Sequence, residues 1–153
     1  MNITDELTKD AIIPHLESKT KNDVIKELAS HICKHHPNIN PQQASEVIME
    51  REKLCSTALD AGVAIPHGKM SGLSNFAISF GKSTEGIDFE SLDGKPTHLF
   101  ILILSPENSS GMHLKLLAKI SKIFKIQEFR SKLLNANTSG EIYDIIAEED
   151  AKY

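Results

Sequence analysis

A three-layer α/β/α domain spanning residues 1–153 is the fold class this sequence predicts. Three observations lead there. Leu99 to Leu104 is apolar without interruption, as a central strand covered on both faces must be. Phe76, Ile78 and Phe80 alternate with Ala77 and Ser79, the two-residue period of a second strand. Helical periodicities lie on both sides of these strands in the chain, and helices bury their apolar stripes by layering on a sheet. At 153 residues the chain buries a full core without staples.

Taken in order, residues 1–19 carry little periodicity beyond a docked segment at Ala11-Ile12-Ile13, ended by Pro14. From Thr20, the series Val24, Leu28, Ile32 and Ile25, Ala29, Cys33 both repeat at i+4, predicting one broad helical face that ends near Lys34. His35-His36-Pro37 breaks the pattern, and Asn40-Pro41 restarts it as a capping residue followed by proline at the first helical position. The second helix aligns Ala44, Val47, Ile48 and Arg51 on one stripe. A run through Gly62-Val63-Ala64-Ile65 reads as a short strand with His67 at its end. There Pro66 stiffens one side and Gly68 permits a turn on the other. After the alternating strand, Asp93-Gly94 marks a tight turn, with Ile87–Phe89 a short extended piece before it. Ser105-Pro106 ends the central strand. Ser109 or Ser110 caps a third helix whose face carries His113, Leu116, Leu117, Ile120 and Phe124. Residues 127–134 form a short helix, and Thr138-x-x-Glu141 is a capping box for a last one bearing Ile142, Ile145 and Ile146.

Composition narrows the function classes. A formal charge of -4, with no Lys/Arg cluster interleaved with aromatics, argues against nucleic acid as a partner. The polar, acidic N-terminus lacks a secretory h-region, and the longest apolar run falls far short of the roughly 20 residues a membrane helix needs. These features predict a cytoplasmic protein with no direct membrane insertion. Two cysteines outside any CxxC fit a reducing compartment, Cys33 as a core residue and Cys55 beside the stretch that follows.

That stretch is Arg51 to Lys69, REKLCSTALDAGVAIPHGK. It supplies a histidine, two adjacent hydroxyls (Ser56 and Thr57), an arginine and backbone amides, all groups that donate to a phosphoryl group. An imidazole nitrogen attacks phosphorus in line, and the protein then has mainly to position and neutralise the equatorial oxygens. Arg51 allows two readings: a stem that packs while the guanidinium meets the negative end of its own helix, or a fork aimed at an anion. Other chemistries are less well served. No G-x-S-x-G elbow is present, and no Asp or Glu in the stretch is an evident orienter for His67. The seven histidines contain no HExxH or His-x-His spacing, and a zinc site from His67, His98 and His113 would lack an acidic or thiolate ligand. A non-covalent anion-binding module using the same donors is the alternative from a different class.

The residues Arg51-Glu52, Ser56-Thr57, Gly62-Val63-Ala64-Ile65-Pro66-His67-Gly68-Lys69, Pro96-Thr97-His98-Leu99-Phe100 and His113-Leu114 together resemble the fructose/mannitol-type enzyme IIA domain of the bacterial phosphotransferase system. The resemblance runs over nearly the whole chain, and its PHGK form is most like the nitrogen-regulatory branch. It implies an α/β/α sandwich with a mixed central sheet, a phosphotransferase component working through a phosphohistidine, and no cofactor or metal. Carried over by position, it implies that His67 accepts the phosphoryl group from an HPr-type histidine phosphocarrier. Arg51 would contact the phosphate, His113 would be the second active-site histidine, and Ser56 and Thr57 the hydroxyl pair beside it. The onward partner would be a regulated target protein or, in a sugar-specific role, a permease IIB component. Where the family continues ST with G-I-G, this chain has Ala58-Leu59-Asp60, so the loop is stiffer and Asp60 would repel a phosphate if it pointed inward.

Overall fold

The computed structural model describes residues 2–153 as a mixed five-stranded sheet between two layers of helix. Strand β5 (Thr97–Pro106) is its axis. It pairs antiparallel with β4 (Ala77–Ile87) on one side and parallel with β2 (Val63–Ala64) and β3 (His67–Met70) on the other. The two-residue strand β1 (Ile12–Ile13) lies parallel to β4 at the far edge.

The alternation of β5 explains its unbroken apolar run. Leu99, Ile101 and Ile103 pack with α3 (Ser110–Phe124), α4 (Gln127–Asn135) and α5 (Ser139–Asp150). Phe100, Leu102 and Leu104 face the opposite way, against α1 (Lys21–Cys33) and α2 (Pro41–Leu54). A strand buried on both sides has no polar period to show.

Helix starts follow the sequence. Thr20 accepts from the Asp23 amide at 3.2 Å and Asn40 from the Gln43 amide at 3.1 Å, each satisfying a donor the helix cannot. Thr138 likewise accepts from the Glu141 amide, but the Glu141 carboxylate bonds the Thr138 hydroxyl at 3.2 Å instead of closing the reciprocal capping box. Strand β4 runs further than the alternating segment foretold. It continues past an irregularity between Lys82 and Ile87, so the extended piece expected at Ile87–Phe89 begins inside it.

The N-terminal segment is docked by a buried carboxylate. Asp150 accepts from the Thr4 amide and hydroxyl, both at 3.2 Å, and pairs with Lys119 of α3 at 2.6 Å. Its folded carboxyl titrates below the usual range because these partners outweigh burial. The cation Lys82 reaches from β4 to the carbonyls of Leu133, Leu134 and Ala136, serving the C-terminal end of α4, whose last carbonyls lack helical donors.

Candidate functional site

The chain reaches the site through a small hairpin. Thr57–Leu59 runs antiparallel to Val63–Ile65, with the Ile65 amide on the Thr57 carbonyl (3.1 Å), the Leu59 amide on the Val63 carbonyl (2.7 Å) and an Ala58–Ala64 bridge between them. Its tip turns at Ala61 (φ 68°) and Gly62 (φ 77°). Val63 sits opposite Leu99 of β5 and His67 opposite Ile103. Pro66 has no N–H for the ladder, and its carbonyl accepts from the Ile103 amide at 2.9 Å.

His67 therefore opens β3 rather than closing the preceding strand, which corrects the expectation from the sequence. Gly68 is a strand residue and makes no turn. A Cβ there would stand 2.7 Å from Val47 Cγ1, so glycine lets α2 lie close on the edge strand. The β-branched Val47 has little freedom to withdraw.

Strand alternation puts His67, Lys69 and, opposite Lys69, Ser105 on the α3 side of the sheet. The first turn of α3 completes the cluster. His113 is buried, its ring centroid 5.4 Å from that of His67 with the planes at 55°. Its Nδ1 meets Ser105 Oγ, and Lys69 Nζ donates to Ser110 Oγ at 2.6 Å.

The orienter that the sequence did not supply for His67 is a backbone carbonyl. His67 Nδ1 lies 2.7 Å from the Ile65 oxygen. A carbonyl can only accept, so Nδ1 carries the proton and Nε2 keeps the lone pair. The half-buried ring titrates below the ordinary histidine value, first because burial disfavours the cation and then because of the Arg51 guanidinium. The Ile65 carbonyl and the Glu52 carboxylate oppose them. His113 is pushed down as well, by burial, then by His67 and Lys69. Both rings are neutral at neutral pH.

Arg51 takes up the first of the two readings offered for it, at the end of its own helix. Its Nη1 donates to the Cys55 carbonyl at 2.8 Å, capping its own helix, while its charge bears on His67. The two hydroxyls are committed elsewhere. Ser56 Oγ donates to the Phe89 carbonyl at 2.7 Å and accepts from the Ala58 amide at 3.1 Å. Thr57 gives its hydroxyl and its amide to the carboxylate of Glu52.

Glu52 is the residue that sequence reasoning passed over. It is buried near the end of α2, and Lys21, at the start of α1, pairs with it at 3.0 Å. Asp60, by contrast, is exposed near the hairpin tip. That tip abuts the start of β5, four residues or about 13 Å along the strand from the register of His67. The carboxylate that bears on His67 is thus Glu52, and the inward Asp60 considered from sequence is not found. The histidine trio weighed for zinc is not assembled either. His98 stands five residues, roughly 16 Å, down β5 from the Ile103 register, with Nδ1 2.9 Å from the Ser83 carbonyl. Among the described residues no group of three His, Cys, Asp or Glu side chains could hold a metal ion.

The family described as "Phosphoenolpyruvate-dependent sugar phosphotransferase system, EIIA 2" matches residues 6–149. This chain belongs to that family.

The EIIA 2 chain is 38% identical over 147 residues to a nitrogen regulatory protein of Bradyrhizobium diazoefficiens, covering 96% of the chain and 95% of the relative. It is also 41% identical over 151 residues to the fructose-specific EIIABC component of Bacillus subtilis, covering 98% of the chain but only 24% of that longer protein. Among solved structures, nitrogen regulatory protein IIA-Ntr from Neisseria meningitidis superposes with a TM-score of 0.88 at 30% identity, covering 94% of this chain and 98% of that one. IIA mannitol from Escherichia coli shares the fold, with a TM-score of 0.77 at 19% identity over 92% and 99% of the two chains. No helix among the described residues of this EIIA 2 chain is long and apolar enough to cross a membrane.

Proposed function

We propose that this EIIA 2 chain is a phosphoryl carrier that accepts a phosphoryl group on Nε2 of His67 from an HPr-type phosphocarrier and acts as a nitrogen-type regulator. The observation that carries this reading is the Ile65 carbonyl on His67 Nδ1, which makes Nε2 the nucleophile, with Arg51 and His113 beside the ring. In the transfer the Nε2 lone pair forms the new N–P bond as the donor's N–P bond breaks, and the bonding pair returns to the donor imidazole. Nδ1 keeps its proton throughout, so the step needs no general base. Arg51 would neutralise the equatorial oxygens, and a neutral His113 would offer them an N–H.

A depressed histidine pKa suits this nucleophile. Imidazole titrates near 6.5 when unperturbed, so His67 stays unprotonated through neutral pH and loses its lone pair only as pH falls through its lower folded value.

The similarity to the Bacillus subtilis fructose-specific component supports a second reading, in which the phosphoryl group passes to a sugar permease. One experiment tests both. The protein is incubated with enzyme I, an HPr-type carrier and phosphoenolpyruvate, with and without a fructose-type IIB component. Intact mass is expected to show one acid-labile phosphoryl group, absent in His67→Ala, that IIB does not drain. Drainage by IIB would favour the sugar-specific reading. An unmodified protein beside a phosphorylated donor would overturn the carrier reading altogether.

A further inference from the structure

We propose that Ser105 is a positioning residue that holds His113 in the tautomer with its proton on Nε2, ready to donate to the phosphoryl group on His67. The inference rests on the carrier reading above and assigns a role to a side chain outside its acceptor set.

It starts from an asymmetry between the two histidines. His67 Nδ1 is paired with a carbonyl, which accepts and nothing else. His113 Nδ1 is paired with the hydroxyl of Ser105, which both donates and accepts by rotating its O–H. Ser105 is fully buried at the end of β5, and His113 is only 7% exposed, so water does not replace either partner. With the serine O–H turned toward it, a neutral His113 accepts a hydrogen bond at Nδ1 and carries its own proton on Nε2, across the ring and available to a phosphoryl oxygen. If the arriving dianion draws a second proton onto the ring, Nδ1–H donates back to the same oxygen and the ring need not move. A carbonyl in place of Ser105 would force the proton onto Nδ1 and turn Nε2 into an acceptor that repels phosphate. The hydroxyl therefore leaves one imidazole able to carry its proton on Nε2 as a donor, while the carbonyl makes the other the nucleophile.

The charged and titratable neighbours of His113 act consistently with this division. His67 and Lys69 both approach it from β3, and both oppose its protonation. Before the phosphate arrives the ring is thus a neutral donor. The register explains how serine comes to be there: Ser105 lies opposite Lys69, two residues beyond the Ile103–His67 pair on the same face.

The tautomer is read directly from the two imidazole nitrogen shifts of His113 in ¹⁵N NMR of the unphosphorylated protein at neutral pH. Wild type is expected to show a protonated Nε2 and an acceptor Nδ1. Ser105→Ala should lose the acceptor signature at Nδ1 and slow phosphorylation of His67 by about tenfold, part of the 10²–10³ that removing a direct transition-state donor costs. Ser105→Thr, which restores the hydroxyl, should recover both. A protonated Nδ1 in the wild type would overturn the proposal whether or not the alanine variant folds. So would a folded Ser105→Ala with an unchanged tautomer and rate, or a folded Ser105→Thr as impaired as the alanine. Because the tautomer is measured without phosphate, its failure is distinguishable from failure of the carrier reading, which would appear as an unphosphorylated wild type.

Discussion

Arg51→Lys is expected to slow phosphoryl acceptance by His67 by about 10²-fold, the scale on which single donors to a developing anion act. In the proposed transfer the guanidinium has two duties at once. One nitrogen donates to the Cys55 carbonyl at 2.8 Å and anchors the group at the end of α2, leaving the rest of the fork for an anion beside His67. Lysine provides a point charge on a flexible stem and cannot both cap the helix and present parallel N–H groups. Arg51→Ala separates charge from geometry. The guanidinium lowers the proton affinity of His67, so removing it raises that pKa, and the acid limb of the pH–rate profile should move to higher pH. Phosphorylation kinetics of both variants from pH 5 to 8 check this. A lysine variant at the wild-type rate would leave Arg51 as a helix cap alone.

Glu52→Ala is expected to cost about 3–5 kcal/mol of stability, the range for breaking a buried ion pair from one side. Lys21 and Glu52 have side chains only 15% and 4% exposed, so the ammonium left behind has little access to water. Its remaining neighbours are Glu90 at 3.8 Å and the Phe89 ring at 4.8 Å. The Thr57 amide and hydroxyl would also lose their acceptor, which releases the hairpin just before His67. Urea unfolding of Glu52→Ala, Lys21→Met and the double variant measures the coupling. A loss below about 1 kcal/mol in Glu52→Ala would show that the pair is not the clamp described. Glu52→Gln adds a chemical readout: the carboxylate supports protonation of His67, so the amide should lower that pKa, opposite in sign to Arg51→Ala.

What the sequence disclosed and what it hid follow one physical division. Local signals survived for the most part: Thr138 caps without closing the reciprocal box, and Ser109 stands before α3 with its hydroxyl on the Pro106 carbonyl instead of a helix amide. Thr20, Asn40 and Thr138 cap their helices because capping is decided within one turn of chain. The apolar run of β5 announced a strand buried on both faces. Features that depend on partners distant in sequence did not show. Pro66-His67-Gly68 reads as a turn until β5 pairs with His67 and Gly68, and Gly68 is explained only by Val47 across the layer. Glu52 looks like an exposed acid at the end of an amphipathic helix until Lys21 and Thr57 converge on it. Ser105 precedes a proline and reads as a strand terminator until His113 folds back over it. The hydroxyls of Ser56 and Thr57 were legible as donors, but their partners in this state are Phe89 and Glu52. Ala58 and Asp60, where the resemblance led to an expectation of glycine, fall within the hairpin: Ala58 bridges Ala64 and Asp60 is exposed near the tip.

The central claim is that the Ile65 carbonyl selects which nitrogen of His67 reacts, and ³¹P–¹⁵N coupling in the phosphorylated protein tests it most directly. A one-bond coupling to Nε2 of His67, with Nδ1 still protonated, is the result predicted. A coupling to Nδ1, or to a nitrogen of any other histidine, would contradict it.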